Sequence, residues 1–134
     1  SPNDPNVMVG SPFEDVQGAA DFEKLGFSID APEGAEDAAY CIMDGEIAQV
    51  DFTLDGHNYL YRAAKLDGDF SGANGEVVGS ASLNAEYDAV LDCLSPEMWR
   101  AHWSKDGVSY YLSNYDGAEE SAITDVADML MESN

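Results

Sequence analysis

The stretch AAYCIMDGEIAQVDFTLDGHNYLYRAAK, residues 38–65, decides the fold. Two Asp-Gly pairs, Asp44-Gly45 and Asp55-Gly56, divide it into three strand-like runs. Asp-Gly between such runs is a strong hairpin signal, because a type I′ turn needs positive φ at both central residues. The stretch therefore predicts a three-stranded antiparallel meander. A two-residue turn also sets the register. It places Met43 opposite Glu46, Cys41 opposite Ala48 and Ala39 opposite Val50. In the second hairpin it places Leu54 opposite His57, Phe52 opposite Tyr59 and Val50 opposite Tyr61. One face then holds Ala39, Cys41, Met43, Ala48, Val50, Phe52, Leu54, Tyr59, Tyr61 and Ala63, which reads as a core. The other holds Tyr40, Ile42, Ile47, Gln49, Asp51, Thr53, Asn58, Leu60 and Arg62, which reads as mixed and solvated.

A third hairpin is written at residues 98–113, MWRAHWSKDGVSYYLS, turned at Asp106-Gly107. Its register pairs Trp103 with Tyr110, Ala101 with Leu112 and Trp99 with Asn114. Arg100, His102, Ser104, Ser109 and Tyr111 then point outward. Upstream, residues 18–25 predict a short helix with Gly26 as its left-handed C-terminal residue, followed by a short strand at Phe27–Ile29. The glycine-rich 66–79 reads as a loop, with a short strand at residues 76–78. Two more strands are expected at 81–87 and 90–94. Ile123, Val126, Ala127, Leu130 and Met131 recur at helical spacing, so residues 118–131 predict an amphipathic helix. Glu119 and Glu120 sit in its first turn and complement the helix dipole.

The expected class is α+β. A curved antiparallel meander sheet of about six to eight strands carries a short N-terminal helix and a C-terminal amphipathic helix on one face. Residues 1–12, with three prolines, read as an extended arm or linker remnant, and 13–134 as a single domain.

Charge narrows the partners. The chain has 27 acidic and 5 basic residues, a net charge of −22. That field repels phosphate backbones and anionic membrane surfaces, so neither nucleic acid nor direct membrane insertion is expected. Basic partners or divalent cations suit it. The two cysteines, Cys41 and Cys93, either pair in an oxidising compartment or stay as separate buried thiols.

The sites of chemistry are few. Asp67, Asp69 and Ser71 match the opening D-x-D-x-S-G of a calcium loop, with Gly72 at the turn. The twelfth position is Val78 rather than a bidentate glutamate, and no helices flank the loop. His57 and His102 lack the spacing of a zinc site. No neighbouring acid is marked to orient His102 toward Ser104 or Ser109, and no phosphate loop or dinucleotide fingerprint is present. Asp51 and Arg62 read as a surface ion pair. A binding patch of Gln49, Asp51, Arg62, Arg100, His102 and Tyr111 is therefore the main candidate site, with no catalytic residues and no cofactor expected beyond Ca2+ at Asp67, Asp69 and Ser71.

The order of motifs resembles a family of uncharacterised extracytoplasmic domains of Gram-positive gut bacteria, found as lipoproteins or in anti-sigma-factor-like membrane-anchored proteins. The residues that carry the resemblance are SPFEDV at 11–16, LGFSIDAP at 25–32, the Tyr40-Cys41-Ile42 strand, YRAAKLDGDFSG at 61–72, Ala101–Trp103 and Tyr110–Leu112. Such a resemblance implies an α+β sheet fold and secretion or surface tethering; it implies no known activity. The expected partner is an unknown protein or cell-envelope component. The functional expectation is a non-enzymatic binding or sensor domain. The alternatives are a calcium-stabilised surface or adhesion domain using Asp67–Gly72, and an acid-assisted hydrolase.

The calcium alternative predicts that millimolar Ca2+ raises the melting temperature and that Asp67→Ala or Asp69→Ala suppresses the rise. A rise no larger than NaCl of equal ionic strength produces would remove calcium from consideration.

Overall fold

The computed structural model describes residues 13–65, 76–95 and 98–133. The strands in chain order are β1 (Phe13–Val16), β2 (Glu36–Met43), β3 (Ile47–Leu54), β4 (His57–Ala64), β5 (Glu76–Asn84), β6 (Ala89–Ser95), β7 (Met98–Lys105) and β8 (Val108–Asn114), followed by helix α1 (Glu120–Ser133). All eight belong to one antiparallel sheet, in the order β1-β2-β3-β4-β8-β7-β6-β5. The sheet is thus two four-stranded meanders joined where β4 pairs with β8. That seam sets Tyr61 opposite Leu112 and Ala63 opposite Tyr110.

The turns follow the Asp-Gly chemistry. Asp44, Asp55 and Asp106 have φ of 55°, 52° and 54°, and the glycines after them are also at positive φ. The second and third hairpins keep the expected registers, with Leu54 opposite His57 and Trp103 opposite Tyr110. The first does not. Its loop takes in Glu46, whose N–H donates to the Met43 carbonyl at 3.1 Å, and Met43 lies opposite Ile47. One extra residue turns the side chains from Ala39 to Met43 to the other face, and an irregularity between Glu36 and Ala39 restores the register at Glu36. Tyr40 and Ile42 therefore join the core face, while Ala39, Cys41 and Met43 point outward. Apolar area explains the choice. Ile42 is buried completely and Tyr40 packs on Phe22 at 6.2 Å between ring centres. Burying a side chain of Ile42's size is worth about 2 kcal/mol, more than an alanine offers.

The expected N-terminal helix is a 3-10 helix over Ala19–Leu25, and Gly26 closes it at φ 90° with its N–H on the Glu23 carbonyl. Residues 27–29 form no strand. They cross the core face as irregular chain, with Ile29 buried and the Ser28 hydroxyl donating to the Ala19 carbonyl at 2.9 Å. Tyr40 holds this segment from below by donating to Asp30 at 2.5 Å. Burial first, then the Asp30 bond and charge, pushes its phenol up to about 12. The two short strands expected near 76–78 and 81–87 are one strand, β5, which ends at Asn84. The Asn84 side chain accepts from the Glu86 N–H and starts a 3-10 turn over Ala85–Tyr87.

Helix α1 begins two residues later than its apolar stripe suggested. Ala118 is held outside it by the Asn114 Oδ1, which accepts the Ala118 N–H at 3.1 Å, and by Trp99 Nε1, which donates to the Ala118 carbonyl at 2.9 Å. Its stripe of Ile123, Val126, Ala127, Leu130 and Met131 is buried as expected. This stripe, Phe22 and the inward residues of the sheet form one hydrophobic cluster. The 3-10 helix and α1 therefore cover the same sheet face.

Leu130→Ala should cost about 2–5 kcal/mol in urea unfolding. Met129→Ala, on the exposed side of α1, should cost about 0.5 kcal/mol or less. Equal losses would mean that α1 docks through another face.

Candidate functional site

The face away from α1 gathers the polar residues. Cross-strand pairing builds two adjacent rows. The first runs Cys41, Gln49, Arg62, Tyr111, His102, Val90. The second runs Ala39, Asp51, Leu60, Ser113, Arg100, Asp92, Ser80. All six residues expected in a binding patch, from β3, β4, β7 and β8, lie in these rows. The β4–β8 seam brings them together: it places Arg62 beside Tyr111, and so joins the patch residues of one meander to those of the other.

The face is less solvated than its composition suggested. Among the described residues, three of the four buried polar side chains lie here: Gln49, Asp92 and Ser113, at 7%, 5% and 0% exposure. Gln49 accepts from Arg62 Nε at 2.8 Å and donates to Asp51 at 3.3 Å. It thus stands between the two residues read as an ion pair and links them by hydrogen bonds. Burial raises the Asp51 carboxyl above its ordinary value, although Gln49 and Arg62 pull the other way.

Asp92 is the hub of the second half. Its Oδ1 accepts the Ser80 hydroxyl at 2.6 Å. Its Oδ2 accepts Arg100 Nη2 at 2.7 Å and Nε at 3.2 Å, and meets His102 Nε2 at 3.2 Å. Burial would raise this carboxyl. The Ser80 and Arg100 hydrogen bonds, then the charges of His102 and Arg100, outweigh burial and hold it below its ordinary value. His102 also lies against Tyr111, with ring centres 5.6 Å apart. An acid does therefore orient His102, which the sequence did not mark. Ser80 and His102 both engage that acid, on different oxygens, so the set is a carboxylate hub and not a serine–histidine relay. The sequence context VLDCL hints at Asp92 without giving its direction: a carboxylate that is buried among apolar residues is almost always paired. Ser113, fully buried between Leu60 and Arg100, has a hydroxyl without a hydrogen-bond partner. Nothing in its sequence context distinguished it.

The remaining candidates fall elsewhere. Asp67, Asp69 and Ser71 lie outside the described residues. Among the described residues, no group of three or more His, Cys, Asp or Glu is placed to hold a metal ion. Both cysteines are free thiols. Cys41 is on the outer face of β2. Cys93, opposite Trp99, is on the core side of β6, with four strands between. A disulfide needs its Cα atoms within about 7 Å, so these two do not pair. Burial, then Asp51 and Asp15, pushes the Cys41 thiol up, which makes it a poor nucleophile.

His57 takes part in a separate latch. Asp116 accepts the Asn58 N–H at 2.7 Å, Asn114 Nδ2 at 2.8 Å and meets His57 Nδ1 at 3.0 Å. It ties the chain between β8 and α1 to the start of β4. Burial is the largest single influence and would raise this carboxyl, but the bonds from Asn58, Asn114 and His57, with the His57 charge, together outweigh it and hold Asp116 below its ordinary value.

No family model, no curated protein and no solved structure matches this chain. No helix among the described residues is long and apolar enough to cross a membrane.

Asp92→Ala leaves Arg100, 15% exposed at its side chain, without its carboxylate. The expected loss is about 3 kcal/mol at pH 7. The folded pKa of Asp92 lies below its unfolded value near 3.9, so its contribution is present above that value and is lost as pH falls through the folded one. The difference between wild-type and Asp92→Asn stability should therefore shrink as urea melts are taken from pH 6 to pH 3. A constant difference would show that the carboxylate charge does not stabilise the fold.

Proposed function

We propose that this chain is a non-enzymatic binding or sensor domain, secreted or tethered at the cell surface, whose ligand contacts the polar sheet face. One observation carries the reading. The chain has two arginines, and both lie on this face with His102, Tyr111, Gln49 and Asp51 in two adjacent rows. In a chain of net charge −22, the gathering of both arginines and one of the two histidines on one face makes it locally rich in cationic donors. Tyrosine and arginine are also enriched where proteins meet partners.

Pre-organisation supports the same reading. Gln49 orients Arg62, and Asp92 orients Arg100 and His102. Side chains already held in place lose less entropy when a ligand arrives. The resemblance to extracytoplasmic domains supports the proposed location, and the partner proposed for such a location is a protein or another component of the cell envelope.

Purified Gram-positive cell-wall sacculi are the probe. Wild-type protein should sediment with them, and the triple substitution Arg62→Ala, His102→Ala, Tyr111→Ala should weaken binding about tenfold or more. Circular dichroism of the variant checks that the sheet is intact. Binding unchanged in a folded triple variant would overturn the assignment of the face. Hydrolysis of peptide or glycan substrates by the wild type, abolished by Asp92→Asn, would replace it with an enzyme.

A further inference from the structure

The two edges of the sheet are built differently. One edge is β1, four residues long, with a Lys24–Glu14 ion pair at 3.0 Å beside it. The other is β5, nine residues long, Glu76–Asn84. Among the described residues β5 pairs with β6 only, and its first seven residues are exposed. Val77 and Val78 are 48% and 62% exposed. Edge strands are usually blunted by shortness, by lysine or proline, or by bulges that twist them away, because their unpaired backbone groups template another strand. β1 is short; β5 carries neither lysine nor proline, and its bulges fall near its two ends.

Two register irregularities, at Val78 and Leu83, bracket a regular ladder in which Gly79 to Ser82 face Cys93 to Val90. An added strand would align with this ladder. On the core side it would run along a groove of about 170 Å3 lined by Gly79, Ala81, Leu91, Cys93 and Trp99, with Glu120 at its rim. A second hollow of about 250 Å3, between Trp99, Cys93 and Ala118, continues it. Each volume suits a single side chain of a peptide.

We infer that β5 is a docking edge for an extended, lysine- or arginine-bearing segment of another protein, which adds to the sheet as a further antiparallel or parallel strand. Main-chain hydrogen bonds would supply affinity, and the groove would receive alternate side chains. Charge selects the occupant. The groove carries Glu120, the strand opens on Glu76, and the chain as a whole is at −22. A second copy would bring a further −22 to the same edge, whereas a basic segment is drawn to it. The groove lies on the core side of β5 and meets the polar face only at Ser80, whose hydroxyl is engaged by Asp92; Arg62 and Tyr111 lie several strands away.

The test uses the peptide acetyl-KVKVKVK-amide, with acetyl-KPKVKPK-amide as a control that cannot complete a ladder. Hydrogen exchange and NMR shifts should show protection confined to Gly79–Ser82 and its neighbours. Affinity should fall about tenfold or more between about 20 and 300 mM NaCl, as screening shortens the field. Ala81→Lys, a change at an exposed lip of the groove, should weaken binding about tenfold with an unchanged melting temperature. Arg62→Ala should leave peptide binding intact. Equal binding of the proline control, protection away from β5, or affinity unchanged in Ala81→Lys would overturn the inference. So would concentration-dependent self-association that protects the same β5 amides, which would make a second copy the occupant.

Discussion

The stacking of Tyr61, Tyr110 and Trp103 across the β4–β8 seam is the contact on which the rest of the structure depends. The three rings come from adjacent strands, with centres 5.6 to 6.3 Å apart, and Tyr61 is fully buried. Each ring pair adds about 0.5–1.5 kcal/mol beyond the area it buries. Burial drives the Tyr61 phenol well above its ordinary value, so it stays neutral. Without this seam the chain would be two four-stranded meanders, each with a bare edge and half a core. With it, α1 has a continuous apolar floor.

The same seam makes the outer face. Gln49, Asp51 and Arg62 belong to the first meander, and Arg100, His102 and Tyr111 to the second. They become neighbours only because β8 lies beside β4. Once assembled, the face supports itself: Gln49 bridges Asp51 and Arg62, and the Asp92 carboxylate holds Arg100 and His102. Buried polar groups of this kind are costly unless satisfied, and nearly every one here is. The exception, Ser113, leaves a buried hydroxyl unpaired in the middle of the second row, against Arg100. The core on one side and the polar network on the other thus share one cause.

Legibility from sequence followed the range of each interaction. The three Asp-Gly turns, the stripe of α1 and the register of two hairpins are local, and each was readable from residues within a few positions of one another. The first hairpin was not. Its turn signal was right, yet Glu46 entered the loop, which lets Tyr40 pack on Phe22 and Ile42 join the core cluster, and Phe22 lies well away in sequence. That single residue also moved Cys41 from the core to the outer face. The patch residues were legible as outward positions on separate hairpins, but Asp92 was not legible as their anchor. Its role depends on β6 lying beside β7, and weak alternation in VLDCL concealed which way it points.

By itself, then, the sequence determined the turns, the amphipathic helix, an antiparallel α+β class and the strongly acidic field. These rest on dihedral preferences, on side-chain periodicity and on counted charges, none of which needs distant contacts. Only the tertiary structure decided the strand order, the slip in the first hairpin, the separation of the two cysteines and the gathering of the arginines around Gln49 and Asp92. Those depend on which faces and edges bury the most apolar area together, a comparison between segments far apart in the chain.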